Sequence, residues 1–271
     1  MKFAYFPGCK IPHHLPEYGE SVEAVCKALD IHLKKIEFNC CGWPVRHENE
    51  LASVFSAARN FALAAKAGLP IMTPCKCCFG NLKYAQARLG EDSELSMQVQ
   101  GLLEKEGLSL PDSIEILHFL TCLDRYVGVE KIHEKVVNPL TDIKVACHYG
   151  CHALRPANVT GFDDPLSPTV FERCIEALGA EVLDWELRLE CCGHPLRGRD
   201  DTISDLLMRK KFENAAAVQA DMIATGCTYC QLQFVGERKR LEGLIDIGPL
   251  PKSVLVSELI ARALNLPVKS D

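Results

Sequence analysis

The chain has 271 residues, 48% of them hydrophobic, which excludes a disordered chain and allows two modest domains or one domain built from two halves. The formal net charge of −6 argues against a general nucleic-acid binder. No apolar run reaches the roughly eighteen residues of a membrane span, so we expect no transmembrane segment.

Strands and helices are predicted to alternate along the first half of the chain. Each strand is a short apolar run, and each helix shows apolar residues at helical spacing. In chain order the segments are the strand Lys2–Phe6, the helix Asn49–Ala67, the strand Ile71–Thr73, the helix Phe79–Arg88, the polar and partly helical excursion Gly90–Asp112, and the tail Ile116–Tyr126.

The second half repeats this order. Its segments are the strand Lys144–Tyr149, the helix Thr202–Ala220, the strand Met222–Thr225, the helix Gln231–Arg240 and the tail Val254–Leu264. The spacing between equivalent residues increases after Cys151, so an insertion lies between Cys151 and Cys191. The stretch Asn158–Ser167, rich in Asp, Gly and Pro, is predicted to be its loop.

The boundary between the halves is predicted near Asn138–Asp142. It divides the chain into a first repeat, residues 1–139, and a second repeat, residues 140–271. Alternating strands and helices are typical of βαβ units. The expected fold is therefore α/β, with two tandem, pseudo-symmetric Rossmann-like halves built on small parallel sheets. Ligands of such sheets bind at the carboxyl ends of the strands, which is where the cysteines fall.

Ten of the fifteen cysteines form two copies of one pattern: a lone cysteine, a Cys-Cys-Gly segment and a Cys-x-x-Cys. The central segments read CCGWPVR in the first copy and CCGHPLR in the second. The first set is Cys9, Cys40, Cys41, Cys75 and Cys78, and the second set is Cys151, Cys191, Cys192, Cys227 and Cys230.

The two motif types place their thiolates differently for metal binding. A Cys-x-x-Cys at a helix start places two thiolates near free N–H groups and the helix dipole, which stabilise negative charge. Two adjacent cysteines rarely bind one tetrahedral ion, but they can bind different irons of one cluster. The glycine that follows them permits a backbone turn and a close approach to inorganic sulfide.

Three uses of the thiols compete. A structural zinc site favours two Cys-x-x-Cys motifs, whereas each half has one clear copy. A thioredoxin-like dithiol explains the Cys-x-x-Cys but not the Cys-Cys-Gly. Iron–sulfur binding explains both, because thiolates from separated segments are its usual ligands, although a fifth cysteine exceeds what a cubane cluster needs.

Cysteine usage also indicates the cellular compartment. The first residues, MKFAYFPGCK, lack the apolar region of a secretory signal. Fifteen cysteines cannot all pair within one chain, and in the reducing cytoplasm such a number is more often metal-binding or catalytic. We therefore expect a cytoplasmic protein.

The repeated pattern resembles the cysteine-rich CCG domain family and, in size and layout, the B subunit of heterodisulfide reductase. The resemblance covers nearly the whole chain, from Phe3 to about Leu264. In that family each five-cysteine motif binds a noncubane 4Fe–4S cluster, and a disulfide is reductively split between the two clusters. The resemblance implies that the two sets of five cysteines bind two such clusters.

Two ligand assignments stay open, because Cys77 is a spare thiol beside Cys78 and Cys147 precedes Cys151. The Cys-x-x-Cys of the second copy favours Cys78, and the Gly-Cys match with the first copy favours Cys151. Three further cysteines lie in apolar, helical surroundings and are predicted to be buried small hydrophobes: Cys26, Cys122 and Cys174.

Splitting a disulfide with two electrons consumes two protons, and histidine titrates near neutral pH. His152 directly follows Cys151 and is the candidate for proton delivery, with simple packing as the alternative. Further histidines near the motifs are His47, His148 and His194.

Arg46 and Arg197 occupy equivalent positions after the two Cys-Cys-Gly segments and are candidate catalytic residues. With Lys10, Lys76 and Arg155 they would make the cleft cationic and attract an anionic substrate. The alternative is that both arginines pair with nearby acids: Glu48, Glu50, Asp200 or Asp201.

The resemblance implies an oxidoreductase subunit that cleaves, or in reverse forms, a disulfide of a thiol or sulfur-carrier substrate. The sequence has neither a G-x-G-x-x-G nucleotide motif nor the cysteine run of ordinary ferredoxins, so electrons must come from elsewhere. The resemblance implies a C-type iron–sulfur subunit and an A-type flavin subunit as partners.

Two other functions stay open. The chain could be an electron-transfer or anchor subunit of a respiratory dehydrogenase complex without disulfide chemistry. It could also belong to a lactate or glycolate oxidase complex, whose iron–sulfur subunit carries two CCG repeats as well. The intact five-cysteine sets argue against a simple relay, because a relay needs only one ordinary cluster.

Overall fold

The computed structural model describes residues 1–242 and 250–267. The first repeat contains β1 (Lys2–Tyr5), α1 (Lys10–His14), α2 (Pro16–Ala28), β2 (His32–Lys35), α3 (Glu50–Lys66), β3 (Ile71–Thr73), α4 (Lys76–Glu91), α5 (Ser93–Glu104), β4 (Ile116–His118), α6 (Phe119–Cys122) and α7 (Val129–Glu134). The second contains β5 (Lys144–His148), α8 (Ala157–Thr160), α9 (Val170–Glu176), β6 (Glu181–Leu183), α10 (Asp201–Ala217), β7 (Met222–Thr225), α11 (Thr228–Glu242), β8 (Lys252–Leu255) and α12 (Val256–Ala263).

Each repeat builds one four-stranded parallel sheet, and the two sheets have the same strand order. The first runs β2-β1-β3-β4 and the second runs β6-β5-β7-β8. Ala4 pairs with Ile71 between the inner strands of the first sheet, and Val145 pairs with Met222 in the second. All of β3 is buried, as expected for a parallel strand covered by helices on both faces. The predicted α/β class with two parallel sheets is confirmed.

The helix after each Cys-Cys-Gly begins at an equivalent capping residue. The Asn49 side chain accepts a hydrogen bond from the N–H of Ala52 at 2.9 Å, and the Asp200 carboxylate accepts one from Ile203 at 3.0 Å. These caps satisfy N–H groups that have no partner within the helix. Among the described residues, no helix combines the length and apolar content that crossing a membrane requires.

One helix of each repeat packs against the other repeat. Helix α12, which follows the last strand of the second sheet, packs on α2 of the first repeat, where the hydroxyls of Ser21 and Ser257 lie 2.7 Å apart in a buried contact. Helix α6, which follows β4, packs in turn on α9. One continuous hydrophobic core therefore spans both repeats. The division at residues 139 and 140 stays a prediction.

The insertion differs from the predicted loop. Asn158–Thr160 belongs to the short helix α8. Phe162, inside the predicted loop, is only 1% exposed, and its ring centroid lies 5.5 Å from that of His118 and 5.9 Å from that of Phe79. One aromatic side chain thus anchors the insertion in the core, which the polar composition of the stretch conceals.

Candidate metal centres

The lone cysteine and the Cys-x-x-Cys of each repeat lie at the carboxyl ends of the inner strands, as predicted. Cys9 and Cys75 follow β1 and β3, whereas Cys151 and Cys227 follow β5 and β7. Cys75 has an extended backbone, with φ −97° and ψ 116°, and α4 begins at the next residue. Helices α4 and α11 therefore start earlier than predicted, because each Cys-x-x-Cys itself forms the first turn.

The five thiols of each set form one chain of side-chain contacts. In the first set the contacts join Cys9 to Cys40, Cys40 to Cys41, Cys41 to Cys78 and Cys78 to Cys75. The second set has the same order: Cys151, Cys191, Cys192, Cys230 and Cys227. The structure thus gathers both predicted ligand sets in one common arrangement.

The thiols of each set compete for protons. All fifteen cysteines are free. Hydrogen bonds from Cys40 and Cys78 lower the pKa of Cys41, and those from Cys151 and Cys192 lower the pKa of Cys191. Thiols packed this closely cannot all ionise unless positive charge lies between them. An all-sulfur donor set of five fits a multi-iron cluster better than one tetrahedral zinc ion.

A glycine in the left-handed region ends each adjacent cysteine pair. Gly42 has φ +91° and Gly193 has φ +88°, which confirms the predicted turn. A Cβ on Gly42 would lie 2.4 Å from the carbonyl oxygen of Ser53, and one on Gly193 would lie 2.6 Å from that of Ser204. The close approach in this structure is therefore to the following helix.

A buried polar side chain supports each Cys-Cys-Gly from the same helical position. Asn60 Nδ2 donates to the carbonyl oxygen of Cys40 at 3.2 Å. Lys211 Nζ donates to the carbonyl oxygen of Glu190 at 2.7 Å and also to that of Leu187. Sequence reasoning missed both residues, although each lies twenty residues after the first cysteine of its pair.

The two centres meet where the two Cys-x-x-Cys helices begin. Cys75 Sγ lies 3.0 Å from the Thr228 hydroxyl and also contacts Cys227. The thiols of Cys77 and Cys227 are in hydrogen-bonding contact at a sulfur–sulfur distance of 3.6 Å. The start of each helix therefore contacts the centre of the other repeat, and the two thiol sets are in direct contact.

Two cavities open onto the centres. One, with an empty volume of about 400 Å³, is lined by Cys151, Cys191, Cys192, Cys227 and Cys230 among others. The other, of about 260 Å³, is lined by Cys9, Cys40, Cys41 and Cys78 among others. Trp43 and Tyr229 line both cavities. These two aromatic rings, which sequence reasoning did not single out as site residues, form the wall between the cavities.

The spare thiols and the predicted ligands differ in their contacts. Cys78 contacts Cys41 and Cys75, as Cys230 contacts Cys192 and Cys227. Cys77 also contacts Cys75, but it lies against Cys227 and 3.2 Å from His152 of the other repeat. Cys151, which contacts Cys191, continues the second thiol chain, and Cys147 lies within strand β5. The three cysteines predicted to be small core residues are buried: Cys26, Cys122 and Cys174.

His152 lies between the repeats. Its Nδ1 is 3.2 Å from Cys77 Sγ and 3.8 Å from Cys151 Sγ, and its ring packs edge-on against Trp43 at 4.3 Å. Burial lowers its pKa, so the ring is mainly neutral near pH 7. A Cβ on Gly80 would lie 2.4 Å from the carbonyl oxygen of His152, so the glycine allows helix α4 to approach this closely.

The two candidate arginines occupy different surroundings. The Arg46 guanidinium lies 3.6 Å from the ring centroid of Tyr84. Glu50, one of its expected partners, instead pairs with Arg88 at 2.9 Å. Arg197 pairs with Asp201 at 3.4 Å, as the alternative expected, and with Asp205 at 2.7 Å.

The other predicted polar residues divide between cavity and surface. Lys76 lines the larger cavity and Lys10 the smaller, whereas Arg155 is exposed. His194 also lines the larger cavity, and its ring packs on Tyr229 at 4.6 Å. Both lysines thus line a cavity, whereas Arg46 and Arg197 do not line either one.

Comparisons with known proteins agree with this twofold geometry. The model of the cysteine-rich domain family CCG matches residues 3–83 and 145–235, one match in each repeat. Both matches contain a complete five-cysteine set.

Three relatives cover most of the chain. It is 33% identical to the 8-methylmenaquinol:fumarate reductase membrane anchor subunit of Wolinella succinogenes, over 99% of this chain and 94% of that protein. It is 33% identical to a protein of Archaeoglobus profundus that is named as similar to the B subunit of heterodisulfide reductase, over 92% and 86%. It is 29% identical to the B subunit of the ferredoxin:CoB-CoM heterodisulfide reductase of Methanosarcina mazei, over 86% and 79%.

A solved structure shares the fold. The crystal structure of a hypothetical protein from Helicobacter pylori superposes with a TM-score of 0.75 over 98% of this chain, at 13% identity. The chain spans about half of that protein, since the match covers 49% of its length. At this identity the likeness bears on the fold alone.

Proposed function

The chain belongs to the cysteine-rich CCG domain family, and we propose that it is the iron–sulfur catalytic subunit of a heterodisulfide reductase-type complex. Each set of five thiols holds one 4Fe–4S cluster of the noncubane type. The observation that carries this proposal is the order of thiol contacts, which is the same in both sets. The two sets also touch each other, through Cys75 and Cys227.

The reaction is the reductive cleavage, or in reverse the formation, of a disulfide at the wall between the cavities. When bound, the two clusters supply the two electrons that split the sulfur–sulfur bond. Trp43 and Tyr229 hold the substrate between the two thiol sets and exclude water.

His152 relays one proton, and the other product sulfur leaves as a thiolate, so the two electrons and one proton balance. Its Nδ1 lies within hydrogen-bonding reach of the thiols of Cys77 and Cys151, so the neutral ring can take up a proton from solvent and pass it to a leaving thiolate there. Lys10 and Lys76 attract an anionic thiol, disulfide or sulfur-carrier substrate. Arg46 and Arg197 lie farther out and act on the approach of the substrate rather than on its bonds.

The electrons come from partner subunits. By analogy with the heterodisulfide reductase relatives, these are a C-type iron–sulfur subunit and an A-type flavin subunit. Fifteen free thiols suit the reducing cytoplasm, where we place the complex.

A second function has its own support, because the Wolinella succinogenes relative is named as the membrane anchor subunit of a quinol:fumarate reductase. In this alternative the chain transfers electrons between a quinol and a partner subunit, without disulfide chemistry. The aromatic wall of Trp43 and Tyr229 suits a planar quinol ring as well as a disulfide.

Iron and acid-labile sulfide, measured on anaerobically purified protein, test the cofactor. About eight of each per chain are expected for two 4Fe–4S clusters. Zinc without sulfide would overturn the proposal. Electron paramagnetic resonance spectra with an added thiol and with a menaquinol analogue then separate the two functions, because only a disulfide-acting site changes its signal with the thiol.

A further inference from the structure

The two centres have the same thiols but different surroundings. When the repeats are aligned on their cysteines, three positions near the thiols are apolar or neutral around the first centre and basic or imidazole around the second. The pairs, first centre before second, are Phe6 and His148, Thr228 and Lys76, and Asn60 and Lys211. Because the Cys-x-x-Cys helices reach across, Thr228 approaches the first centre and Lys76 the second.

His148 is a buried imidazole whose two ring nitrogens have no hydrogen-bond partner among the described residues. It is 1% exposed, and its ring packs on Phe234 at 5.1 Å. One ring nitrogen and the thiols of Cys192 and Cys230 all lie within 4.8 Å of one another. A neutral imidazole always carries one N–H, so His148 has a donor available for sulfur at the second centre.

Lys76 carries its ammonium into the same centre. It is 2% exposed, and its Nζ donates to the carbonyl oxygen of His148 at 3.0 Å. It lines the larger cavity together with Cys227 and Cys230. The charge of a buried ammonium is poorly screened, so it acts strongly on anions within a few ångströms.

Lys211 is the second buried cation. It is 1% exposed, and its Nζ donates to the carbonyl oxygen of Glu190, the residue before Cys191. Two acids lie near the lysines: Glu172 accepts hydrogen bonds from Tyr149 and Arg188 and forms an ion pair with the latter, and Glu190 is exposed to water. Arg188 offsets the charge of Glu172 and water screens that of Glu190, so the buried ammonium groups of Lys76 and Lys211 are the poorly screened charges beside these thiols.

The first centre has no equivalent of these groups among the described residues. Phe6 is fully buried and packs on Phe38, Thr228 contributes a hydroxyl, and Asn60 contributes a neutral amide. Lys10 lines its cavity but is half-buried, so water screens its charge.

We infer that the two clusters are electronically unequal and that the second centre has the more positive reduction potential. The inference rests on the proposed function, since it needs a cluster in each centre. Buried cations and hydrogen bonds to sulfur stabilise the more negative, reduced state of an iron–sulfur cluster. A single electron from the partner subunits is therefore held at the second centre, beside the larger cavity, where it meets the substrate.

The test is a redox titration of the anaerobically purified protein, followed by electron paramagnetic resonance. Cys9→Ser and Cys151→Ser variants assign the signals to the two centres. Lys211→Asn and His148→Phe install the residues of the first repeat, and each should shift the second potential to a more negative value while the first stays unchanged. His148→Gln keeps a donor and should shift it less.

Lys210→Asn is the matched control, because Lys210 is the exposed neighbour of Lys211 on the same helix and water screens its charge. Phe6→His is the converse variant and should raise the potential of the first centre. Circular dichroism identifies any variant that fails to fold, and the remaining variants then decide the result.

The outcomes separate the two proposals. A protein without iron and sulfide overturns the proposed function and this inference with it. Two clusters with equal potentials, or with the more positive potential at the first centre, overturn the inference alone. So does a Lys211→Asn protein whose potentials match those of Lys210→Asn.

Discussion

The Nδ1 atom of His152 lies 3.2 Å from the Sγ atom of Cys77, although the two residues come from different repeats. Trp43 packs against the imidazole, and helix α4 fits closely over the backbone of His152 at Gly80. The contact places a titratable group and a spare thiol at the wall between the two centres. Neither Cys77 nor His152 is a predicted iron ligand, so changes at these two residues should affect the chemistry of the cleft without removing iron.

Cys78, rather than Cys77, is expected to be the iron ligand. Cys78 joins Cys75 to Cys41 in the first thiol chain, whereas Cys77 contacts Cys75 and otherwise lies against Cys227 and His152 of the other repeat. Cys78→Ser should lose about half of the iron and sulfide, and Cys77→Ser should keep all of both. Metal analysis of the two anaerobic preparations decides this. Loss of a cluster from Cys77→Ser would reverse the assignment.

His152→Gln should lower disulfide turnover by about 100-fold while iron content stays unchanged, because the variant loses the proton donor but no thiol. His47→Gln is the control, since His47 is exposed and its ring also packs edge-on against Trp43, with 5.7 Å between the ring centroids. Turnover with an artificial electron donor is the measurement. Full activity of His152→Gln would leave its ring with a packing role only.

The inner strands were predictable because each is a short apolar run that ends at a cysteine motif. Strands β2 and β6 are absent from the predicted segments. Strand β2 reads HLKK and is largely exposed, and β6 also has an exposed first residue. Both lie at sheet edges, where a strand is solvated and loses the continuous apolar pattern that identifies a buried parallel strand.

The ten cysteines were visible because identical residues recur at equivalent spacing. Asn60 and Lys211 support equivalent backbone segments, yet they differ in type, so the repeat conceals their shared role. Contacts such as Cys77 with Cys227 depend on how the repeats dock. The spacing of residues along one repeat contains no information on that docking, so the contact between the two thiol sets was not predictable.

The stability that the insertion contributes should depend on one buried aromatic side chain, that of Phe162. Phe162 is 1% exposed, whereas Leu166, a few residues later, is 82% exposed. Phe162→Ala should lower the free energy of unfolding by about 3–5 kcal/mol, because it leaves a cavity against Phe79 and His118. Leu166→Ala should change it by less than about 0.5 kcal/mol. Urea denaturation measures both, and equal effects would contradict the anchor.

His118 should make stability depend on pH. Burial and the nearby charge of Lys76 lower its pKa to about 3. Its Nδ1 accepts a hydrogen bond from the N–H of Leu120, so the proton of the neutral ring is on Nε2, which faces the carbonyl oxygens of Pro74 and Gly226 at 2.9 and 3.1 Å. Protonation of Nδ1 would break the bond to Leu120, so the folded chain resists it.

Stability should fall as the pH falls, because the folded and unfolded states bind the proton of His118 at different pH values. Above a pH of about 6.5 the ring is neutral in both, so His118 causes no loss of stability. Between about 6.5 and 3 only the unfolded chain binds the proton, so stability falls by about 1.4 kcal/mol per pH unit. Urea denaturation from pH 7.5 to about 5 should give a shallower slope for His118→Gln, while the exposed His32→Gln keeps that of the unmodified protein. Equal slopes for all three would contradict the prediction.

Gly42 should tolerate no side chain. Its φ of +91° disfavours any other residue, and a Cβ would lie 2.4 Å from the Ser53 carbonyl oxygen, so α3 would have to move. Gly42→Ala should therefore cost about 3 kcal/mol of unfolding free energy, from backbone strain and overpacking together. It should also weaken iron retention at the first centre, because Cys40 and Cys41 immediately precede the turn.

Gly68→Ala separates the two causes, since Gly68 also has a positive φ, +66°, but nothing lies within 4 Å of its Cβ position. That control should cost about 1 kcal/mol and keep all of the iron. Equal losses in the two variants would mean that backbone strain alone, and not the approach of α3, makes the glycine necessary.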